Sequence, residues 1–248
     1  MVIRGGTVVN AAEISKCDVG IKDGRIVALG EKLDAGAEEI DATGKYVMPG
    51  GIDSHCHIDQ RSSGGGRNSE TFESGTRSAA CGGTTTIICF AAQEKGELLT
   101  PVVEEYHDKA KQSCIDYSFH LIISDPSDEV MHEEVPKLIK AGHRSLKLFM
   151  TYPRNRLNDA EILRVLEVAK LNQALVCVHA ENHDAIMYMT EKLLAADKNS
   201  TKHHAWAKPP LDEREATHRM IMLAELLDVP IQIFQGSCEE AAEEIRRA

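Results

Sequence analysis

The sequence has no apolar run of the roughly 18 residues that a membrane-spanning helix needs, and its first residues form no apolar signal core. The formal net charge of -11 excludes the basic surface that nucleic acids and anionic membranes attract. With 248 residues, 42% of them hydrophobic, the chain has ample material for a core. These features predict a soluble globular protein of the cytoplasm whose partners include neither nucleic acid nor membrane.

The sequence also has no CxxC pair. Its seven cysteines are scattered along the chain, at positions 17, 56, 81, 89, 114, 177 and 238. An odd, unpatterned set does not describe a disulfide framework, so we expect reduced thiols, as in a cytoplasmic protein. Cys89 follows the apolar run TTTII and is expected to be a small buried structural thiol.

Residues 1–48 consist of short β-like runs separated by turn residues. The Asp23-Gly24 pair between VGIK and RIVALG is a strong hairpin signal, because both residues tolerate a positive φ. This part of the chain predicts a small antiparallel sheet, the segment of a small β-sandwich domain. The remainder, residues 49–248, is expected to form the second and larger domain.

After Pro49, short apolar strands alternate with helical stretches of ten or more residues. Asn158 with Glu161 marks the start of one helix as a capping box. Such alternation predicts βαβ units and a parallel sheet. The predicted strands are 52–57, 84–90, 117–123, 145–149, 174–179 and 231–234.

Two folds share this alternation, the doubly wound sheet and the TIM-type (β/α)8 barrel. The sequence has no Gly-rich phosphate turn after its first strand, which a doubly wound sheet favours. Polar residues instead fall at the carboxyl ends of strands, where barrels carry their active sites. We therefore predict an α/β protein of the barrel type with about six βα units. Because six strands leave two unpaired edges, we expect the sequence to be a piece of a longer protein or to be completed by another segment.

Four of these strand-end residues suggest a metal site. His55 and His57 are two positions apart, and on a strand such residues share a face, so both imidazoles can bind one ion. Lys147 faces inward with Ser145, and burial lowers the pKa of an amine enough to let it react with carbon dioxide. Each residue alone has a plainer interpretation, as a strand-end histidine, a snorkelling lysine or a core histidine at His179. Together they predict a metal centre.

Longer sequence motifs indicate the family to which such a metal centre would belong. The stretches PGGIDSHCHID, GTRSAACGGTTTII, SLKLFMTYP, VHAEN and PPLDEREATHRMIMLAEL resemble the dihydropyrimidinase/D-hydantoinase branch of the cyclic amidohydrolases, within the metal-dependent hydrolase superfamily. The resemblance implies a small β-sandwich beside the barrel and two divalent metal ions, taken to be Zn²⁺. It assigns His55 and His57 to one ion, His179 to the other, and a carboxylated Lys147 as the bridge. Tyr152 matches the tyrosine that hydrogen-bonds the substrate carbonyl and its oxyanion.

The sequence departs from that family at two places. Where the family has a second histidine for the second metal, after the sixth strand, this chain has Gln235, whose amide oxygen is a poorer zinc ligand than imidazole. The family's aspartate ligand, which follows an eighth strand, has no counterpart here. Asp59 would repel the carboxylate of a dihydroorotate, whereas Gln60 resembles members that open uncharged cyclic ureides.

The resemblance implies hydrolysis of a cyclic amide. A metal-bridging hydroxide would open a dihydropyrimidine or hydantoin ring, a small-molecule cyclic ureide, to an N-carbamoyl amino acid. It also implies a homo-oligomer, a tetramer in the family. Two alternatives stay open: a non-catalytic or inactivated homologue that acts as a scaffold, which Gln235 favours, and an allantoinase-like cyclic amidohydrolase.

Overall fold

The computed structural model describes residues 1–61 and 66–248. These residues form two compact units, Met1–Gly51 and Ile52–Ala248. No helix within the two described ranges is both long enough and apolar enough to cross a membrane.

The first unit contains two small sheets. Its strands are β1 (Val2–Arg4), β2 (Thr7–Val9), β3 (Ile14–Lys16), β4 (Asp18–Lys22), β5 (Arg25–Gly30), β6 (Glu39–Asp41) and β7 (Tyr46–Val47). One sheet has the order β5-β4-β1-β6 and the other β3-β2-β7. The prediction of a purely antiparallel sheet is wrong, because β6 pairs in parallel with β1 and β7 with β2. Strands β6 and β7 are far from their partners β1 and β2 in the sequence, and only strands joined by a tight turn must run antiparallel.

The predicted hairpin is confirmed. Strands β4 and β5 pair antiparallel, with Lys22 opposite Arg25. The two residues between them, Asp23 and Gly24, have φ values of 51° and 70°. Two consecutive positive φ angles are the signature of the type I′ turn, whose twist matches that of the strands it joins.

The second unit is built on one parallel sheet. Its strands are β8 (Gly51–Asp53), β9 (Thr84–Ala92), β10 (Asp116–Ile122), β11 (Ser145–Phe149), β12 (Leu175–His179) and β13 (Ile231–Phe234). They lie in the sheet in sequence order, β13-β12-β11-β10-β9-β8. The predicted βαβ alternation is therefore confirmed, and consecutive neighbours are the arrangement of successive units in a TIM-type barrel. Within the described residues, β8 and β13 each have one neighbour.

Helices connect these strands. They are α1 (Phe72–Cys81), α2 (Leu99–Ala110), α3 (Val135–Lys140), α4 (Asp159–Asn172), α5 (His183–Ala195), α6 (His204–Ala207), α7 (Pro210–Leu227) and α8 (Glu239–Arg247). A π-helical turn, Val130–Glu134, precedes α3, and a 3-10 turn, Thr201–His203, precedes α6.

The two faces of the sheet bury different side chains. Leu146 and Leu148 point into the main core, where the helices pack on the outer face. A smaller cluster lies on the inner face and contains Phe90, Ile122, Cys177 and Phe234. Strands buried on both faces are typical of parallel sheets covered by helices. Successive side chains along a strand therefore alternate between the main core and the inner cluster.

The first barrel strand is shorter than predicted. The sequence suggests a strand over 52–57, but β8 ends at Asp53. Its Oδ1 accepts the backbone N–H of His55 at 3.0 Å, and such a local side-chain bond competes with the strand ladder. His55 and His57 therefore lie on the segment beyond the strand rather than on its pleat. The strands predicted at 145–149 and 231–234 have the observed bounds.

Helix α2 begins without a capping side chain of its own. Leu98, at the N-cap position, makes no side-chain hydrogen bond. The carboxylate of Glu134, from the π-helical turn, accepts the backbone N–H of Leu99 at 2.5 Å and that of Thr100 at 3.0 Å. An anion at a helix N-terminus satisfies the free N–H groups and complements the helix dipole, so a distant residue supplies the cap.

The capping box of α4 provides a direct test of the fold. Asn158 Oδ1 accepts the N–H of Glu161 at 3.0 Å, and Glu161 Oε2 accepts the N–H of Asn158 at 2.7 Å. We expect Asn158→Ala to lower the free energy of unfolding by about 1 kcal/mol, measured by urea denaturation. Glu167→Ala, an exposed change in the same helix, should stay within about 0.5 kcal/mol. Equal effects of the two changes would contradict the cap.

Candidate metal centre

A cavity of about 670 Å³ opens at the carboxyl ends of the sheet strands. Five sequence-predicted residues line it: His55, His57, Lys147, Tyr152 and His179. Gln235, the residue at which the sequence departs from the expected pattern, lines it as well. Lys147 lies on β11, His179 ends β12 and Gln235 directly follows β13. These three strands are neighbours in the sheet, so strand order brings the three residues to one edge.

Phe90 is the platform under the first two imidazoles. Its ring centroid lies 4.9 Å from the His55 ring and 4.5 Å from the His57 ring, which is stacked on it. The two imidazole centroids are 5.4 Å apart. Burial, with Lys147 and His57 as neighbouring charges, lowers the pKa of His55 to about 4. A neutral imidazole is the form that binds metals.

Gln60 and Asn68 hold the His57 segment from the other side. Gln60 Oε1 lies 2.7 Å from His57 Nδ1, which donates to it because an amide oxygen only accepts. Asn68 Nδ2 donates to the His57 carbonyl at 2.5 Å. A hydrogen bond to one ring nitrogen fixes the tautomer and leaves Nε2 as the lone-pair nitrogen.

The Lys147 amine is buried without a polar partner. The side chain is 1% exposed, and its Nζ makes no hydrogen bond within the described residues. Aromatic rings surround it, with the centroids of Phe234, Phe149 and Phe90 at 4.4, 4.8 and 5.9 Å. Burial lowers the pKa of Lys147 to about 7. A large fraction of the amine is therefore neutral near pH 7, which is the reactive form.

His179 is oriented by a carboxylate. Its Nε2 donates to Glu181 Oε2 at 2.8 Å, and Lys208 Nζ donates to both oxygens of the same carboxylate at 2.8 and 3.0 Å. Burial opposes ionisation of Glu181, but the bonds from His179 and Lys208 outweigh it and lower its pKa to about 2. The carboxylate thus stays charged and fixes the ring. Nδ1 then keeps its lone pair and faces the cavity, beside the side-chain amide of Gln235.

Two residues of the cavity adopt left-handed backbone conformations. Tyr152 has φ 67° and Gln235 has φ 62°, a region that non-glycine residues enter rarely. Such residues concentrate at functional sites, where the surrounding structure holds them in place. The Tyr152 ring lies 5.2 Å from the His179 ring, with Lys208 Nζ 5.4 Å from its centroid. Burial raises the pKa of Tyr152, so its hydroxyl keeps its proton and can donate.

His120 lines the inner face but has no free ring nitrogen. Its Nδ1 lies 2.6 Å from Ser145 Oγ, and its Nε2 lies 3.0 Å from the carbonyl oxygen of Ser54. The second contact ties β10 to the segment that carries His55. His120 is therefore a support for that segment.

The donor set matches a divalent metal in part. Neutral imidazoles and a desolvated amine that carbon dioxide can convert to a carbamate are suitable ligands, and the unpartnered Lys147 Nζ is the atom that such a group would satisfy. Across residues 1–61 and 66–248, however, no three His, Cys, Asp or Glu side chains converge into a ready cage. The His55 and His57 rings lie next to each other, beyond the end of β8. His179 reaches the same cavity from the end of β12, four strands away from β8 in the sheet.

The sequence did not predict the residues that hold the candidate ligands in place. Phe90 and Phe234 enclose the lysine, and the Glu181–Lys208 pair orients His179. The stretch VHAEN places a carboxylate two residues after a histidine, which is a weak signal for such a pair. The contact of Lys208 with Glu181 has no local sequence signal, because Lys208 lies in the loop before α7.

A parallel β/α sheet whose strands lie in sequence order, with polar groups gathered at its carboxyl edge, is the arrangement of the TIM-barrel class, which has its site at the strand ends. Residues 46–231 match the model of the amidohydrolase family, and the chain belongs to that family. It is 43% identical over 250 residues to a D-hydantoinase from Ralstonia pickettii, covering 100% of this chain and 54% of the relative. A D-hydantoinase from Geobacillus stearothermophilus is 46% identical, with 99% and 53% covered.

Solved structures agree with these relatives. The crystal structure of a dihydropyrimidinase from Brevibacillus agri is 41% identical and superimposes with a TM-score of 0.95, covering 99% of this chain and 54% of that one. The described sheet thus has the fold of an amidohydrolase barrel. The chain spans about half the length of the curated relatives it matches.

The buried amine makes a prediction about stability. In metal-free protein without bicarbonate, we expect Lys147→Met to raise the free energy of unfolding at pH 6 by about 1–3 kcal/mol, because an apolar side chain of similar shape removes an unsatisfied buried donor. The folded pKa of about 7 lies below the ordinary value of 10.5. The unfolded chain therefore binds more protons between these values, and wild-type stability rises with pH across that window.

The gain from Lys147→Met should accordingly shrink as the pH rises from 7 towards 10. Urea titrations at several pH values measure it. Lys140→Met, an exposed lysine at the end of α3, is the control and should show no such dependence. A gain that is constant with pH would mean that the amine is not desolvated.

Proposed function

We propose that this chain is part of a metal-dependent hydrolase that opens a dihydropyrimidine or hydantoin ring to an N-carbamoyl amino acid. The observation that carries the proposal is the Lys147 amine, which is buried with no polar partner among residues 1–61 and 66–248 and shares a cavity with three imidazoles. The named relatives support the same reaction class, because they are D-hydantoinases and a dihydropyrimidinase. They favour it over the scaffold and allantoinase-like alternatives.

The chain's own residues would hold the metals. His55 and His57 would bind one ion, His179 through Nδ1 the other, and Lys147 as a carbamate would bridge them. Bound divalent ions would lower the pKa of water and polarise a carbonyl. The Glu181–Lys208 pair would keep the His179 ring in one orientation, and Phe90 would do the same for His55 and His57.

Tyr152 would contact the substrate. Its hydroxyl would donate a hydrogen bond to the ring carbonyl and keep that bond as negative charge develops on the oxygen. A well-placed donor of this kind contributes about 2.7–4 kcal/mol to transition-state stabilisation. Tyr152 has a left-handed backbone and lines the cavity, and the Lys208 ammonium beside its ring would favour an anion there.

Two further expectations belong to the proposal. The protein would act in the cytoplasm on a free cyclic ureide, and it would assemble as a homotetramer. Size-exclusion chromatography with light scattering would measure the assembly.

Metal analysis tests the proposal. We expect the chain, loaded with Zn²⁺ in bicarbonate and then desalted, to retain zinc by elemental mass spectrometry. Lys147→Met should lose the ion that depends on the bridge, while the exposed control Lys140→Met should not. Formation of N-carbamoyl product from dihydrouracil and from hydantoin is measured on the same samples. Full zinc retention by Lys147→Met would overturn the proposal.

Gln235 gives a second prediction. Its amide oxygen is a weak ligand, so we expect Gln235→His to tighten zinc binding at the second position by at least about tenfold, which competition with a chromogenic chelator measures. Gln173→His is a matched control, because Gln173 also has a left-handed backbone, with φ 54°, but ends α4 away from the cavity. Equal zinc affinities of the two variants would exclude position 235 as a ligand site.

A further inference from the structure

Cys56 and Cys89 place two thiols side by side behind the metal-binding histidines. Their sulfurs are 3.4 Å apart, the single sulfur–sulfur contact among the hydrogen bonds of the described residues. Cys89 is 0% exposed within β9, and Cys56 is half-buried on the segment after β8. All seven cysteines are free thiols in the structure.

The two cysteines share the outer face of the sheet. Cys89 belongs to the main core and Cys56 packs against that core. Their sequence neighbours face the opposite way: Phe90 points to the inner cluster, and His55 and His57 line the cavity. The segment 55–57 therefore contacts both faces of β9, with its imidazoles against Phe90 on one side and its thiol against Cys89 on the other.

We propose that Cys56 and Cys89 form an oxidation site, at which a peroxide produces a disulfide that displaces His55 and His57 and weakens metal binding. The oxidation itself is independent of the proposed function; its effect on metal binding rests on that function. The sequence suggests a purely structural role for the Cys89 thiol. The structure adds a second thiol, that of Cys56, within reach of it.

The chemistry needs one peroxide for each pair. The Cys56 sulfur, the more exposed of the two, attacks a peroxide oxygen, the O–O bond breaks, and a sulfenic acid and one water form. The Cys89 sulfur then attacks the Cys56 sulfur, the S–O bond breaks, and the hydroxyl leaves with a proton as a second water. The two thiols lose two electrons and two protons, and hydrogen peroxide is reduced to two waters. A dithiol reductant reverses the bond by exchange.

Bond formation requires movement, and the structure indicates which side moves. A disulfide bond is about 2.05 Å long, so sulfurs 3.4 Å apart must approach by about 1.4 Å. Strand β9 pairs with β10 over seven positions, Cys89 opposite Phe119. The segment 54–57 lies beyond the end of β8 and outside the ladder, where side-chain hydrogen bonds at Ser54 and His57 hold it in place of strand pairing. The approach therefore falls on the segment that carries both imidazoles, and ligand geometry tolerates only small displacements.

Peptide mapping tests the oxidation. The reduced chain is treated with hydrogen peroxide, free thiols are alkylated, and tryptic peptides are analysed by mass spectrometry. We expect the peptide that contains Cys56 to be linked to the one that contains Cys89. Cys81, an exposed cysteine, lies on that second tryptic peptide, so Cys81→Ser is the matched control and should retain the link, whereas Cys56→Ser should abolish it. Cys56 and Cys89 that remain alkylatable in wild type at peroxide concentrations that oxidise Cys81 would overturn the proposal.

Zinc affinity tests the consequence. Competition with a chromogenic chelator is measured for the reduced and oxidised wild-type chain and for Cys56→Ser after the same treatment. We expect oxidation to weaken zinc binding at least about tenfold in the wild type, the size of effect seen when ligand support is lost, and not in Cys56→Ser. A mapped disulfide with unchanged affinity would overturn the displacement of the histidines. Absence of zinc binding in every state would refute the proposed function, while the mapping still decides the oxidation site.

Discussion

The burial of one amine, that of Lys147, is the constraint on which the site depends. A desolvated donor without a partner costs free energy, and the strand that carries it is held in place by Leu146 and Leu148 in the core behind it. On the front, Phe149 and Phe234 exclude water from the nitrogen. The same enclosure that makes the amine unfavourable also lowers its pKa to about 7, and the neutral form is the one that the proposed carbamate needs.

The imidazoles around this amine are held in two different ways. His179 belongs to a strand end and is fixed by the charged Glu181–Lys208 pair. His55 and His57 lie on a segment outside the sheet. Their rings pack against Phe90, His55 by its edge and His57 by stacking, and side-chain hydrogen bonds hold the backbone. One side of the site is therefore set by the sheet and its ion pair, whereas the other is set by aromatic packing and side-chain hydrogen bonds outside the sheet.

Sequence patterns predicted the parts of this arrangement that follow from local periodicity. The strand of Lys147 and the capping box of Asn158 were found at their observed positions, because alternation and capping are local signals. The end of β8 was not found, since the Asp53 side chain stops the strand by bonding to His55. Contacts such as Lys208 with Glu181 were also beyond local patterns, because they join segments that only the folded sheet brings together.

The cap that Glu134 places on α2 has a consequence for the order of folding. The free N–H groups at the start of that helix are capped by a carboxylate that lies 35 residues further along the chain. Before the π-helical turn packs against α2, the N–H groups of the first turn of α2 lack this cap. Isolated short helices are marginally stable in water. We expect α2 and the β10–α3 segment to become structured together, as one cooperative unit, and to exchange their amide hydrogens with similar protection.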